Sequence, residues 1–256
     1  MYTELGDGHW LSDQIEKDEV FPVGGYMPGH INEYMRVDID TFGPFFERVA
    51  KNKDVLMSNT AFQEWFEKHK TNLDFSLFCH IYAFDMLIRD VFPNASLNAT
   101  KRAGFYEGKG KRSLSEGVSK GYSACNEFSV LAQGYFQSQN IPTRYVGGEL
   151  VTSGDFDAGE PHSFIVFQND GKDYVYDPVN QLSRKLPRIA EFVGNKENDY
   201  LEAKGLFTSD KWFYSGGSKG TFLKKLPTQS SLKNILKKHT RSALKLADKI
   251  RKLPDV

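Results

Sequence analysis

One cysteine, one histidine and one aspartate stand where the flanking patterns should bring their side chains together. Cys125 opens the run Cys125-Asn126-Glu127-Phe128, followed by Leu131, Ala132, Tyr135 and Phe136. From Phe128 onward the apolar residues recur at helical spacing, which sets Cys125 at or near a helix amino terminus. The positive end of the helix dipole and the first unbonded N–H groups favour the thiolate there, the nucleophilic form. His162 precedes the apolar run Ser163-Phe164-Ile165-Val166-Phe167, Asn169-Asp170-Gly171 is a hairpin signal, and Tyr174-Val175-Tyr176 returns to Asp177-Pro178. A tight turn puts residues near 162 and 177 roughly opposite each other across the ladder. The chemistry expected of such a set is nucleophilic acyl transfer. Cys125 attacks, His162 acts as general base and then protonates the leaving group, and Asp177 fixes the imidazole tautomer. The Cys125 backbone N–H is one oxyanion donor, and the pattern names no second.

These residues need elements to hold them. The first forty residues, rich in Gly, Pro and Asp, read as irregular cover and as a candidate lid over the cleft. Helical signals begin near Phe45. Asn59-Thr60 offers a cap ahead of Phe62, Trp65 and Phe66, and Asp74 one ahead of Leu77, Phe78, Tyr82, Phe84, Leu87 and Ile88. Cys79 lies in that second helix as a small core residue. Lys101–Tyr122 carries five glycines among lysines and serines and reads as a flexible basic loop of about twenty residues, without the glycine and lysine order of a phosphate loop. Asn140-Ile141-Pro142 ends the helix that starts at Cys125, and Thr143–Val151 reads as a strand. A helix followed by an antiparallel meander predicts an α+β fold. The domain reading is 1–44 as irregular amino-terminal cover, 45–218 as the catalytic domain, and 219–256 as a basic amphipathic helix.

The 256 residues carry 33 basic and 33 acidic side chains, and the balance hides an asymmetry. From Lys219 to Val256 eleven Lys/Arg face two acids, so an acidic body carries a basic tail. Residues 230–252 place Leu232, Ile235, Leu236, Ala243, Leu246, Ala247 and Ile250 on one stripe that continues to Leu253, with the lysines largely off it. Such a helix fits the chain's own acidic body, an anionic membrane surface or a partner protein. No aromatic follows Phe222, so a stacking platform for nucleic acid is not indicated. Two cysteines make no disulfide framework or zinc motif. The acidic stretch 153–160 lacks the ligand order of a calcium loop, and no metal or cofactor is expected. The polar first twenty-one residues contain no apolar core of a signal peptide, so the expected compartment is cytoplasmic, with leaderless export left open.

Four motifs, Gly121–Phe128, Asn140–Gly148, His162–Phe167 and Gly171–Pro178, follow one another in an order that resembles the transglutaminase-like core family, of papain-like fold. The likeness covers roughly residues 104–180. It implies Cys125 as nucleophile, His162 as base and Asp177 as orienting acid. Ser123-Ala124 and Ser163 depart from the family pattern, and no tryptophan lies between Trp65 and Trp212. The absent tryptophan argues against a dedicated cross-linker; the resemblance implies a thiol peptidase or amidase with a peptide or amide as substrate, and water is the default acceptor. One rival is an arylamine N-acetyltransferase-like enzyme using acetyl-CoA, although Asp177-Pro178 fits the first family better. The other is a non-catalytic scaffold attached through its basic tail.

Overall fold

The computed structural model describes residues 3–6, 9–22, 33–69, 71–92, 99–108, 111–152, 159–179, 186–197, 199–216, 222–224 and 226. The basic amphipathic segment 230–252 and most of the acidic stretch 153–160 lie outside the described residues.

The amino-terminal half is largely helical. After strands β1 (Thr3–Gly6), β2 (His9–Ser12), β3 (Val20–Pro22) and β4 (Tyr34–Arg36), a 3₁₀ turn (Ile39–Phe42) leads into α1 (Gly43–Met57), α2 (Thr60–Lys68) and α3 (Phe75–Val91). The expected caps are present. Asn59 accepts from the Phe62 N–H at 3.0 Å and Asp74 from the Leu77 N–H at 3.0 Å, each satisfying a first-turn donor. Phe62, Trp65 and Phe66 meet Phe78 of α3 in a stacked aromatic cluster that fixes α2.

Residues 1–44 depart from the irregular reading. Strand β2 joins the main sheet along Trp10, Leu11 and Ser12, and Ile15 and Phe21 are buried in the core. The described part of this segment thus supplies side chains to the core. The glycine-rich stretch departs too: it forms α4 (Ala99–Tyr106), β5 (Arg112–Ser113) and α5 (Leu114–Ser119). Helix α5 starts in a capping box, with the Ser113 hydroxyl accepting from the Glu116 N–H and the Glu116 carboxylate from the Ser113 N–H.

Helix α6 (Cys125–Ser138) is followed by six antiparallel strands, β6 (Thr143–Val151), β7 (Glu160–Asn169), β8 (Lys172–Asp177), β9 (Arg188–Glu197), β10 (Tyr200–Gly205) and β11 (Lys211–Ser215). They pair in the order β6-β11-β10-β9-β8-β7, and β7 pairs again with β6, closing a six-stranded barrel. Alternation along the strands separates two cores. Val146, Phe164, Val166, Val175, Ala190, Leu201, Ala203, Trp212 and Tyr214 fill the barrel with Phe222. Tyr145, Ile165, Phe167, Tyr174, Tyr176 and Ile189 face outward against the helices. The turn between β7 and β8 is Asp170-Gly171, both at positive φ (49° and 72°), as the hairpin signal requires. These features establish an α+β fold with helices on one side of an antiparallel barrel. Among the described residues, no helix is long and apolar enough to cross a membrane.

Candidate active site

Cys125 is the first residue of α6, and the preceding Ala124 has an extended backbone but no side-chain acceptor to cap the helix. Glu127 supplies an acceptor: its carboxylate takes the Ala124 N–H at 2.8 Å. That carboxylate is fully buried, and Arg102 of α4 compensates it through Nε at 2.8 Å and Nη2 at 3.1 Å. A forked pair of this kind holds both partners in one geometry. The Arg102 guanidinium lies over the Tyr106 ring at 5.8 Å, and a Cβ at Gly117 would stand 1.7 Å from the Tyr106 hydroxyl, so a glycine is needed there. The stretch expected to be a loose loop thus fixes a cation beside the nucleophile.

His162 is the third residue of β7, and Asp177 ends β8. The register pairs Ile165 with Tyr176, which sets Asp177 diagonal to His162 on the barrel's inner face. His162 Nε2 lies 2.8 Å from Asp177 Oδ2, which leaves Nδ1 as the other nitrogen of the ring. The Cys125 thiol and the His162 ring lie close enough for each to shift the ionisation of the other, which sets the three groups in one cluster. Gly148 of β6 stands opposite His162. A side chain there would place its Cβ 1.9 Å from the Ser215 carbonyl oxygen, where β11 closes the barrel.

Asp177 accepts further hydrogen bonds besides that from His162. Arg188 Nη1 of β9 lies 3.1 Å and the Tyr214 hydroxyl of β11 3.3 Å from Oδ2, and the Val179 N–H lies 3.2 Å from Oδ1. Burial would raise its pKa, but the charge and hydrogen bond of His162 and the charge of Arg188 hold it well below the usual carboxylate range. For His162, burial works against the charged ring, but Asp177 and then Cys125 outweigh it and push the pKa up to about 10. Burial likewise raises the Cys125 thiol, yet the hydrogen bond and charge of His162 and the charge of Arg102 bring it below its ordinary value, with Glu127 opposing. The three shifts together favour a thiolate–imidazolium pair.

A polar wall behind the pair ties α6 to β7. Asn126, next to the nucleophile, accepts at Oδ1 from the hydroxyls of Ser163 and Tyr145, the latter at 2.8 Å. Trp10 Nε1 donates to the Tyr145 hydroxyl at 3.2 Å, and Ser129 Oγ donates to the Ser163 carbonyl at 3.0 Å. The residues following Cys125 and His162 are therefore bonded to each other, which limits how far the two reactive groups can drift apart. Arg144, prominent in the strand motif, stands away from the triad. It pairs with Asp13 and donates to the Phe222 carbonyl at 2.8 Å, anchoring the segment that fills the barrel.

The structure thus brings together all three residues singled out by the sequence. It adds Arg102, Glu127, Arg188 and Tyr214, which pattern reading missed. Glu127 carried a signal, since an acid at the third helical position is half of a capping box. Arg188 carried none. A cavity of about 300 Å³ opens beside Arg188 and Trp212, lined also by Leu186, Pro187, Ile189 and Phe207. Among the described residues, no three His, Cys, Asp or Glu side chains are grouped to hold a metal ion.

No family model, no curated protein and no solved structure matches this chain.

Proposed function

We propose that the protein is a thiol enzyme of the transglutaminase-like, papain-type kind that transfers the acyl group of a peptide or amide to water. The observation that carries this reading is the His162–Asp177 hydrogen bond at the junction of α6 and the barrel, with the Cys125 thiol electrostatically coupled to the same ring. The helix-then-barrel order and the cysteine at the helix start also support it. The Cys125 thiolate attacks the carbonyl carbon, and its backbone N–H faces the developing oxyanion as one donor. The amine leaves with the proton from His162, giving a thioester. His162 then takes a proton from water, the hydroxide attacks the thioester, and the acid departs as the thiolate re-forms. Asp177 remains ionised throughout and holds the ring by Nε2.

The test is turnover of a panel of fluorogenic peptide amides by wild type, Cys125→Ala and His162→Ala. The expected result is no activity in Cys125→Ala and a loss of about 10²–10⁴-fold in His162→Ala. Mass spectrometry of the products in water with added glycine ethyl ester separates hydrolysis from transfer to an amine. Undiminished turnover in Cys125→Ala would remove the proposal.

A further inference from the structure

The barrel mouth holds a charge that the three-residue mechanism leaves without a role. Arg188 opens β9 and is paired across the ladder with Asp177. Its Nη1 lies 3.1 Å from the same carboxylate oxygen, Oδ2, that His162 approaches from the other side at 2.8 Å. Its side chain is only 7% exposed and that of Asp177 is fully buried. The guanidinium lies over the Trp212 ring of β11 at 4.7 Å, which fixes its plane and excludes water from one face.

We propose that Arg188, seated on Trp212, is a positioning residue of the triad whose charge lets a part-buried thiolate and a buried carboxylate coexist. This rests on the acyl-transfer reading of the same site. Counting charges shows why the arginine is needed. The groups bonded to Asp177 include His162 from β7, Arg188 from β9 and Tyr214 from β11, with Cys125 of α6 beyond His162, while Asp85 of α3, whose charge Asp177 also feels, is paired with Arg89. Arg102 and Glu127, on the other side of Cys125, neutralise each other. With Cys125 as thiolate and His162 as imidazolium, Asp177 and Arg188 bring the sum to zero. Without Arg188 the same state carries one uncompensated negative charge in a buried site, and protonating the thiol is the cheapest way to remove it. Arg188 therefore acts on the nucleophile through Asp177 and His162, without touching it.

The experiment is the rate of iodoacetamide labelling at Cys125 against pH, read by mass spectrometry in wild type, Arg188→Met, Arg188→Lys and Trp212→Leu, with thermal unfolding of each. In Arg188→Met the labelling rate at pH 6 should fall about tenfold and the profile should move to higher pH. Arg188→Lys, which keeps the charge, should recover most of the rate whatever its melting temperature. A folded Arg188→Met variant with an unshifted profile overturns the proposal, and so does a Lys variant as impaired as Met. Should Arg188→Met not fold, Trp212→Leu decides. That variant keeps the pair and removes its platform, so a profile displaced the same way by about threefold supports the proposal and an unmoved one overturns it. Failure of the enzyme reading looks different: the wild-type thiol itself would titrate in the ordinary range.

Discussion

Helix α3 and the junction of α6 with the barrel each hold one cysteine, one histidine and one aspartate, and the two sets are perturbed in opposite directions. In α3, burial pushes the Cys79 thiol up to about 12, the His80 ring down to about 4 and the Asp85 carboxyl up to about 7. At the junction Cys125 is lowered, His162 is raised to about 10 and Asp177 is lowered. Burial acts against charge at both places. The difference lies in the partners. His80 meets the neutral Tyr135 hydroxyl at 2.8 Å, and Asp85 has Arg89 and Tyr176 but sits fully buried in the helix–barrel core. Asp177 instead faces two cations on the same oxygen, and His162 is held between an acid and a thiol. A residue inventory alone does not make a reactive site; alternating counter-charges do.

The widest gap between the regions should appear as thiol reactivity. In native wild type at pH 7, iodoacetamide should label Cys125 at least about a hundredfold faster than Cys79, because one thiol is biased toward thiolate and the other is desolvated and neutral. In denaturant the two should react alike. Equal labelling in the native protein would mean that the electrostatic contrast is not realised.

Glu127→Gln sharpens the comparison at the junction itself. The amide oxygen can still accept the Ala124 N–H, but Arg102 is left with no carboxylate, and breaking such a buried pair costs about 3–5 kcal/mol. Because Glu127 opposes ionisation of the Cys125 thiol, labelling at pH 6 should become faster as the urea midpoint falls. Stability and reactivity moving in opposite directions separates the electrostatic role of Glu127 from its role as a cap. A rate that falls with stability would assign it only the second.

Much of the junction was legible because it is local. A helix start, a strand start and a two-residue turn each leave a mark within a few positions, and hairpin pairing sets Asp177 near His162 with an offset of two residues from the directly opposite placement. The long-range part was hidden. Barrel closure depends on β6 pairing with both β7 and β11, and nothing near Lys211–Ser215 signals the second pairing. Strands β1 to β4 were obscured by the glycines and prolines around them, although Trp10 and Phe21 are core residues. The glycines of 101–122 suggested a loose loop, yet Gly117 serves a close contact with Tyr106, and the Ser113–Glu116 box was a readable helix start. The transglutaminase-like resemblance pointed to three residues, while Arg102 and Arg188 became visible only through the pairing of buried charges.

The smallest effect concerns the unreactive set in α3, where two opposed shifts should conceal each other. An unfolded aspartate ionises near 3.9 and an unfolded histidine near 6.5. Folding holds the Asp85 proton until about pH 7, so its contribution to stability is complete below the unfolded value and is lost as pH rises through about 7. Folding keeps His80 neutral down to about pH 4, so its contribution is present above about 6.5 and is lost as pH falls through about 4. Between about pH 4 and 6.5 the native chain holds one extra proton at Asp85 and lacks one at His80, and the two slopes cancel. Removing either group should uncover the other. Relative to wild type, Asp85→Asn should gain thermal stability as pH rises across that window, and His80→Gln should lose it. Melting curves of the three proteins at half-unit pH steps measure both slopes, and because each variant is compared with wild type, the carboxylates of the barrel mouth drop out. Parallel curves would show that α3 titrates as an ordinary helix, and the contrast with the junction would then rest on the thiols alone.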